Sequence, residues 1–290
     1  MINIQNNVNI KNYTSIKIGG IVKYFIEISS EKEIIEAFKF INENKLKYIV
    51  LGNGSNVLIN DKYFDGCVIR INKRYNFFNI IDTNKIEVSS GYLLSTFINK
   101  CRENNLSSLE QLYGIPGTIG GCIHGNAGIP TLAIGDNVDS VKVLYRGKIM
   151  VLSKDDCMFT YRNSLFKNCS DYIILSAIII VKKVKKEIID DIIIKTIKHR
   201  KYTQPIDKYS CGCIFKNIGN INSWKYIKSL NLSDFENKKA YVSDLHSSFI
   251  INGGEATFKD IYNLIETIKN SVYYIYNIMI CPEVEIIDWR

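Results

Sequence analysis

The residues best suited to chemistry lie in two small-residue stretches. Gly52-Asn53-Gly54-Ser55-Asn56 follows directly on the apolar run Tyr48-Ile49-Val50-Leu51. A longer stretch runs from Ser108 through Ile115-Pro116-Gly117-Thr118-Ile119-Gly120-Gly121 to Asn126-Ala127-Gly128. Glycine removes the Cβ that would keep an anion away from main-chain N–H groups, so such backbone suits a diphosphate. A strand followed by a small-residue loop, met twice, points to one large anionic cofactor held by backbone donors. Cys211-Gly212-Cys213 is the one cysteine pair close enough in sequence for joint chemistry. With no second Cys or His pair nearby, it is a weak zinc signature.

The elements that must position these residues follow from periodicity. Residues 22–28 read as a strand, and Ser30 with Glu33 forms a capping-box pattern before Ile34, Ala37, Phe38 and Ile41 at helical spacing. A strand at 47–51 completes a β-α-β unit that delivers Gly52–Asn56 at a strand's C-terminal end, the usual ligand side of an open α/β layer. This is not the dinucleotide fingerprint: Gly52-x-Gly54 leads into the strand-like run Val57-Leu58-Ile59 rather than a helix. Short β-like runs fill about 66–90, and Leu94, Phe97, Ile98 and Cys101 mark a helix ending near Asn104-Asn105. Residues 138–152 read as a hairpin turning at Arg146-Gly147, 172–181 as a strand apolar on both faces, and 182–187 as the opening of a helix that runs to about Arg200. The domain boundary falls in that helix. Thr257 and Asp260 cap a further helix bearing Phe258, Ile261, Leu264, Ile265, Ile268 and Val272 on one face, and Val284-Glu285-Ile286-Ile287 closes the chain as a strand.

Composition bounds the function. At 290 residues, 46% hydrophobic and 23% charged, the chain is an ordinary globular protein with room for two or three domains. Its net charge of +8 is spread singly along the chain, with Lys182-Lys183 and Lys185-Lys186 the densest run, which argues against a nucleic-acid stripe. The N-terminus lacks a basic segment followed by an apolar one, and no apolar run reaches the roughly 18 residues that span a bilayer. A cytoplasmic, membrane-free monomer is the expectation. The eight cysteines are dispersed, and several fall inside apolar periodic segments, as expected of reduced buried thiols.

Seven stretches, in order across nearly the whole chain, resemble the UDP-N-acetylenolpyruvoylglucosamine reductase family. They are Asn12–Gly20, Leu51–Leu58, Gly114–Gly121 with Asn126-Ala127-Gly128, Tyr161-Arg162-Asn163-Ser164, Arg200 with Gln204-Pro205, Gly212–Asn217, and Pro282-Glu283-Val284. The resemblance implies a mixed α/β (α+β) fold: a two-lobed FAD-binding module of the vanillyl-alcohol-oxidase type followed by a C-terminal α/β substrate domain. The FAD-binding domain would span 1–190, with lobes at about 1–70 and 71–190, and the substrate domain 191–290. The short connection between Lys167 and Asp171 resembles the family's shorter type. The implied partners are FAD, NADPH and a small UDP-sugar enolpyruvyl ether. Gly52, Asn53, Gly54, Ser55, Asn56, Ile115, Pro116, Gly117, Thr118, Gly120, Gly121, Asn126, Ala127 and Gly128 would hold the FAD.

In the family reaction, hydride passes from NADPH to FAD and then to the enolpyruvyl methylene carbon, with a proton added at the neighbouring carbon. Charge builds toward the substrate carboxylate, and must be met by a cation and quenched by an acid. By motif, Arg162 is the cation, its fork suiting a carboxylate. Alone it would be a hairpin arginine, and Glu283, which matches the family's catalytic glutamate, an edge charge; their place in the ordered set gives them roles. Cys213 stands where most members carry the proton-donating serine. A thiol, with a reference pKa of about 8.5, is a better acid than an alcohol near neutral pH. Gln204, Lys216 and Asn217 match substrate contacts. The chain departs from the family pattern at Tyr209 and Gly125, and at Glu285 and Asp288, which stand for a frequent arginine and glycine. His124 and Cys122 lie in the flavin loop, where related oxidases attach FAD, but the resemblance implies non-covalent binding; His246 reads as structural. Two alternatives stay open: a flavin oxidase on the same fold, and a flavin-binding protein that has lost catalysis.

Overall fold

Ser30 starts the first long helix, Glu31–Glu43: its hydroxyl accepts the Glu33 N–H at 3.3 Å, while the Glu33 carboxylate turns back to the N–H and hydroxyl of Ser29 at 2.7 and 2.8 Å. Ile34, Ala37 and Ile41 face Ile26, Ile28, Cys67 and Ile69 in one core cluster, each fully buried aliphatic side chain contributing about 1.5–3 kcal/mol over exposure. The computed structural model describes residues 2–71, 75–219, 221–230, 232 and 239–289. They form two units, each built from separated stretches: Met1–Asn6, Tyr24–Asn53 and Asp65–His199 in one, and Asn7–Lys23, Gly54–Phe64 and Arg200–Arg290 in the other.

In the first unit the strand Tyr48–Leu51 pairs in parallel with Phe64–Ile71, with Leu51 opposite Arg70. A five-stranded antiparallel sheet runs in the order Lys148–Ser153, Val138–Tyr145, Tyr172–Ile180, Lys85–Ser89, Phe78–Ile80. Its hairpin turns at Arg146 (φ 48°) and Gly147 (φ 81°), the double positive-φ geometry that matches strand twist. Tyr172–Ile180 is apolar on both faces, with Ser176 as its one polar residue, because it separates two cores. Ile174, Ala177 and Ile179 face the cluster of Ile86, Val88, Leu94 and Phe97, whereas Ile173 and Leu175 join the cluster under the first helix. The charged run after this strand behaves differently from the sequence reading. Lys182 and Lys183 pair with Ser107 and Leu106 as a short strand, and the helix begins only at Lys186, running to Thr203. Backbone pairing to a neighbouring segment overrides the local helical preference there.

The second unit is organised by the helix Phe258–Tyr276. Thr257 and Asp260 cap it reciprocally, and the Asp61 carboxylate accepts the Phe258 N–H at 2.9 Å. Its apolar face packs on Ile16, Ile18, Leu58, Cys211, Ile214 and Phe215. Two short strand pairs complete the unit, Ala240–Val242 antiparallel to Ile250–Asn252 and Val57–Ile59 parallel to Glu285–Ile287. Among the described residues, no helix is long and apolar enough to cross a membrane.

Candidate active site

In the first unit, the strand Tyr48–Leu51 delivers Gly52 and Asn53 against the second small-residue stretch. The Asn53 amide donates to the Pro116 carbonyl at 2.6 Å, and a Cβ on Gly52 would sit 2.8 Å from Thr118 Oγ1. Thr118 also caps a seven-residue helix, Ile119–Gly125, accepting the Gly121 N–H at 3.2 Å. Three glycines make this helix invisible to propensity. It forms because Ile119, Cys122 and Ile123 are buried on one face and Gly120 lies on Ser90, where a Cβ would come within 2.8 Å of the Ser90 Cβ. The helix spends its leading donors internally: Ile119 N–H goes to the Tyr92 carbonyl at 2.8 Å and Gly120 N–H to that of Ser90 at 2.9 Å. By contrast, none of the N–H groups of Asn53, Gly54, Ser55 and Asn56 finds an acceptor among the described residues. Backbone donation to an anion therefore centres on the loop that follows Tyr48–Leu51.

The far end of the second stretch is tied to Arg162. Asn126, at φ 45°, ends the short helix, accepts the Gly135 N–H at 3.0 Å and donates to the Thr160 carbonyl at 2.8 Å. Thr160 and Asn163 exchange two 3.1 Å backbone bonds that force Arg162 to φ 53° at the tip of the turn. From there its Nη2 donates to the Gly128 carbonyl at 2.6 Å, and its guanidinium lies 5.4 Å from the Tyr161 ring. Ser164 fixes the other side through its hydroxyl on the His124 carbonyl at 2.6 Å. Burial pushes the Cys122 thiol up to about 12, so it is neutral and sealed in the core.

In the second unit, Gly54 (φ 63°) is pressed on the chain at Tyr13, whose carbonyl a Cβ would approach to 2.1 Å, and its own carbonyl accepts the Ser15 N–H at 2.9 Å. Gly212 (φ 80°) passes Ser55 closely enough that a Cβ would meet its carbonyl at 4.0 Å. Cys213 follows, half-buried and bridged to Phe249, while Ile214 N–H donates to the Ser248 carbonyl at 2.8 Å. On the other side, Glu283 N–H donates to the Ile214 carbonyl at 2.7 Å and Lys216 N–H to that of Cys281 at 2.9 Å. Asn56 closes the group, its side-chain amide donating to the Glu283 carbonyl at 3.3 Å. The geometry thus gathers Ser55, Asn56, Cys213 and Glu283. Cys211 points elsewhere: burial, helped by the neighbouring Cys213, pushes its thiol up to about 12.

The remaining sequence-derived positions are more dispersed. Asn217 accepts the Ser223 N–H at 3.1 Å and so helps start the helix Ser223–Lys228, while Lys216 is half-buried beside it. Gln204 lies one turn from Arg200, whose Nη1 donates to its Oε1 at 2.9 Å. An arginine offers only donors, so the Gln204 oxygen must face it and the NH₂ is the group left for a ligand acceptor. His246 is held below its ordinary range by burial, its Nδ1 accepting the Ser248 N–H at 3.2 Å, which makes it a brace for the turn beside Cys213.

Residues 22–153 match the family described as FAD binding domain, and residues 204–287 match UDP-N-acetylenolpyruvoylglucosamine reductase, C-terminal domain. Together with the two-unit fold, these matches define an FAD-dependent oxidoreductase. The chain belongs to the UDP-N-acetylenolpyruvoylglucosamine reductase family. It is 35% identical over 98% of its length to the reductase of Clostridium novyi (strain NT), covering 92% of that protein. It is 37% identical over 98% of its length to that of Clostridium tetani (strain Massachusetts / E88), again covering 92%. The crystal structure of UDP-N-acetylenolpyruvylglucosamine reductase (MurB) from Thermus caldophilus superposes with a TM-score of 0.85 at 27% identity, over 99% of this chain and 100% of that one. FAD fits what the residues offer: N–H donors from Asn53 to Asn56 that find no acceptor among the described residues, and a loop cysteine too buried to attach it.

Proposed function

We propose that the chain catalyses the NADPH-driven reduction of the enolpyruvyl ether of UDP-N-acetylglucosamine to UDP-N-acetylmuramate in peptidoglycan synthesis, as a cytoplasmic monomer. The observation that carries this reading is the gathering of Asn56, Cys213 and Glu283, drawn from three distant stretches, around the Ile214 carbonyl and the Glu283 backbone. Bound FAD would take hydride from NADPH and supply it to the substrate. The protein's part is to bind, orient and move one proton. Residues 1–190 take the cofactor-binding role and 191–290 the substrate-binding role. The N–H groups of Asn53–Asn56 meet the anionic part of the cofactor, and Pro116, Gly117, Thr118, Gly120 and Gly121 shape the wall beside Gly52 and Asn53.

Arg162 stabilises the charge that grows on the substrate carboxylate, a guanidinium already fixed by Gly128 and so spending little order at the moment of reaction. Cys213 donates the proton from Sγ, and Glu283 handles the proton or the carboxylate beside it. Gln204, with its NH₂ outward, Lys216 and Asn217 hold acceptor oxygens of the sugar nucleotide. The test is an anaerobic two-step experiment: NADPH bleaches the flavin, and the enolpyruvyl sugar nucleotide restores its colour. Flavin that bleaches but is reoxidised only by oxygen would sink the assignment.

A further inference from the structure

We infer that the side chain of Asn56 is a positioning residue for Glu283, not a ligand of the cofactor whose loop it ends. The inference rests on the function proposed above only for the role of Glu283; the geometry stands on its own. Val57–Ile59 and Glu285–Ile287 form a parallel pair with Glu285 opposite Val57. The Asn56 carbonyl accepts the Glu285 N–H at 3.0 Å, the first rung of that ladder. One step further back the ladder cannot continue, because the chain before Asn56 turns away through Gly54 at φ 63°. The Asn56 amide supplies the missing donor, reaching the Glu283 carbonyl at 3.3 Å. Glu283 is then held on both sides, by its N–H on the Ile214 carbonyl at 2.7 Å and by its carbonyl on Asn56. Ile214 is the residue after Cys213, so the same clamp sets the segment carrying Glu283 against the segment carrying Cys213. An aspartate at 56 would keep the shape and lose the donor.

The other end of the same strand pair provides the control. Asn60 N–H donates to the Ile287 carbonyl at 2.9 Å and its amide to Asp288 at 2.6 Å, so it also secures this ladder, but away from Glu283. A purely structural role for Asn56 predicts that variants at 56 and 60 behave alike. A positioning role predicts that they differ in one half-reaction.

The experiment compares Asn56→Ala, Asn56→Asp and Asn60→Ala in the full chain by Tm, by FAD affinity from flavin fluorescence on reconstitution, and by flavin bleaching and reoxidation in single turnovers. Asn56→Ala, which keeps the backbone N–H, should bind FAD within about threefold of the unaltered protein and bleach normally with NADPH, yet be reoxidised by the enolpyruvyl sugar nucleotide about 10- to 100-fold more slowly, the size expected of a misplaced catalytic group. Asn56→Asp should show the same slow reoxidation together with weaker FAD binding, because its carboxylate faces the anion-binding loop. Asn60→Ala should lower Tm and leave reoxidation unchanged. Loss of FAD affinity with intact reoxidation of the remaining holoprotein would overturn the inference, as would equal behaviour of the 56 and 60 variants. If the unaltered protein is not reoxidised by this substrate, the proposed function fails instead, and the FAD-affinity comparison still decides whether Asn56 serves the cofactor.

Discussion

A thiol at position 213 differs from the family's alcohol chiefly in acidity, and the surroundings keep the two cysteines of Cys211-Gly212-Cys213 distinct. Cys211 is fully buried with its thiol pushed up to about 12, while Cys213 is half-buried next to Ile214, whose carbonyl accepts the Glu283 N–H. Cys213→Ala should therefore retain bound FAD and bleaching by NADPH but lose about 10²- to 10⁴-fold in reoxidation by substrate, with Cys213→Ser recovering part of it. Cys211→Ala should cost stability and leave the rate nearly unchanged; equal damage at both positions would replace the single-acid reading with a dithiol one. Arg162→Lys tests the cation. A lysine cannot both hold the Gly128 carbonyl and present a planar fork, so reoxidation should slow by about 10- to 10³-fold while bleaching is nearly intact. A defect confined to bleaching would remove Arg162 from that role. Arg162, Cys213 and Glu283 were singled out by the resemblance to the reductase family; their residue types and spacing alone would have left them a turn arginine, a small half-buried thiol and an edge charge. The direction of the Asn56 amide and the polarity of Gln204 were not legible, because each is decided by one distant or donor-only partner.

The short helix Ile119–Gly125 shows where local reasoning stops. Capping pairs named both Glu31–Glu43 and Phe258–Tyr276, the Arg146-Gly147 dipeptide named the hairpin, and a run apolar on both faces named Tyr172–Ile180, since all of these are written in neighbouring residues. A helix holding Gly120, Gly121 and Gly125 is stabilised instead by what it touches, and the sequence shows only flexibility there. Its contact with Ser90 can be tested. Gly120→Ala would drive a Cβ to 2.8 Å from the Ser90 Cβ, an overpacking worth about 1–3 kcal/mol. Ser90 Oγ is buried without a hydrogen-bond partner, so Ser90→Ala should raise Tm slightly by removing an unmet hydroxyl, worth up to about 1 kcal/mol. Thermal melts would check both, and FAD affinity should fall with Gly120→Ala because the loop that it displaces carries Gly117 and Thr118. A Tm unchanged by Gly120→Ala would mean that the helix shifts freely and that its glycines are not needed for close approach.

Chain order and spatial order part company in the second unit, and this has a measurable consequence. Residues 200–290 look self-sufficient in sequence, with a capped helix, a closing strand and well-spaced apolar positions. Yet their core is completed by Ile16, Ile18 and Leu58, all buried, and Asn252 donates to the Ile16 carbonyl at 2.8 Å. The strand Glu285–Ile287 has Val57–Ile59 as its partner, and the helix Phe258–Tyr276 takes an N-terminal cap from Asp61. Such pairings carry no local signature, because the partners lie some two hundred residues apart. Each of the three missing aliphatic side chains is worth about 1.5–3 kcal/mol, a total comparable to the whole stability of a typical domain at about 5–15 kcal/mol. The fragment 200–290 expressed alone should therefore lack a cooperative thermal transition and bind a hydrophobic dye. A fusion that restores 7–23 and 54–64 through flexible linkers should regain a sharp melt. A cooperative transition in the 200–290 fragment without those segments would show that the interleaved strands decorate this unit rather than complete it.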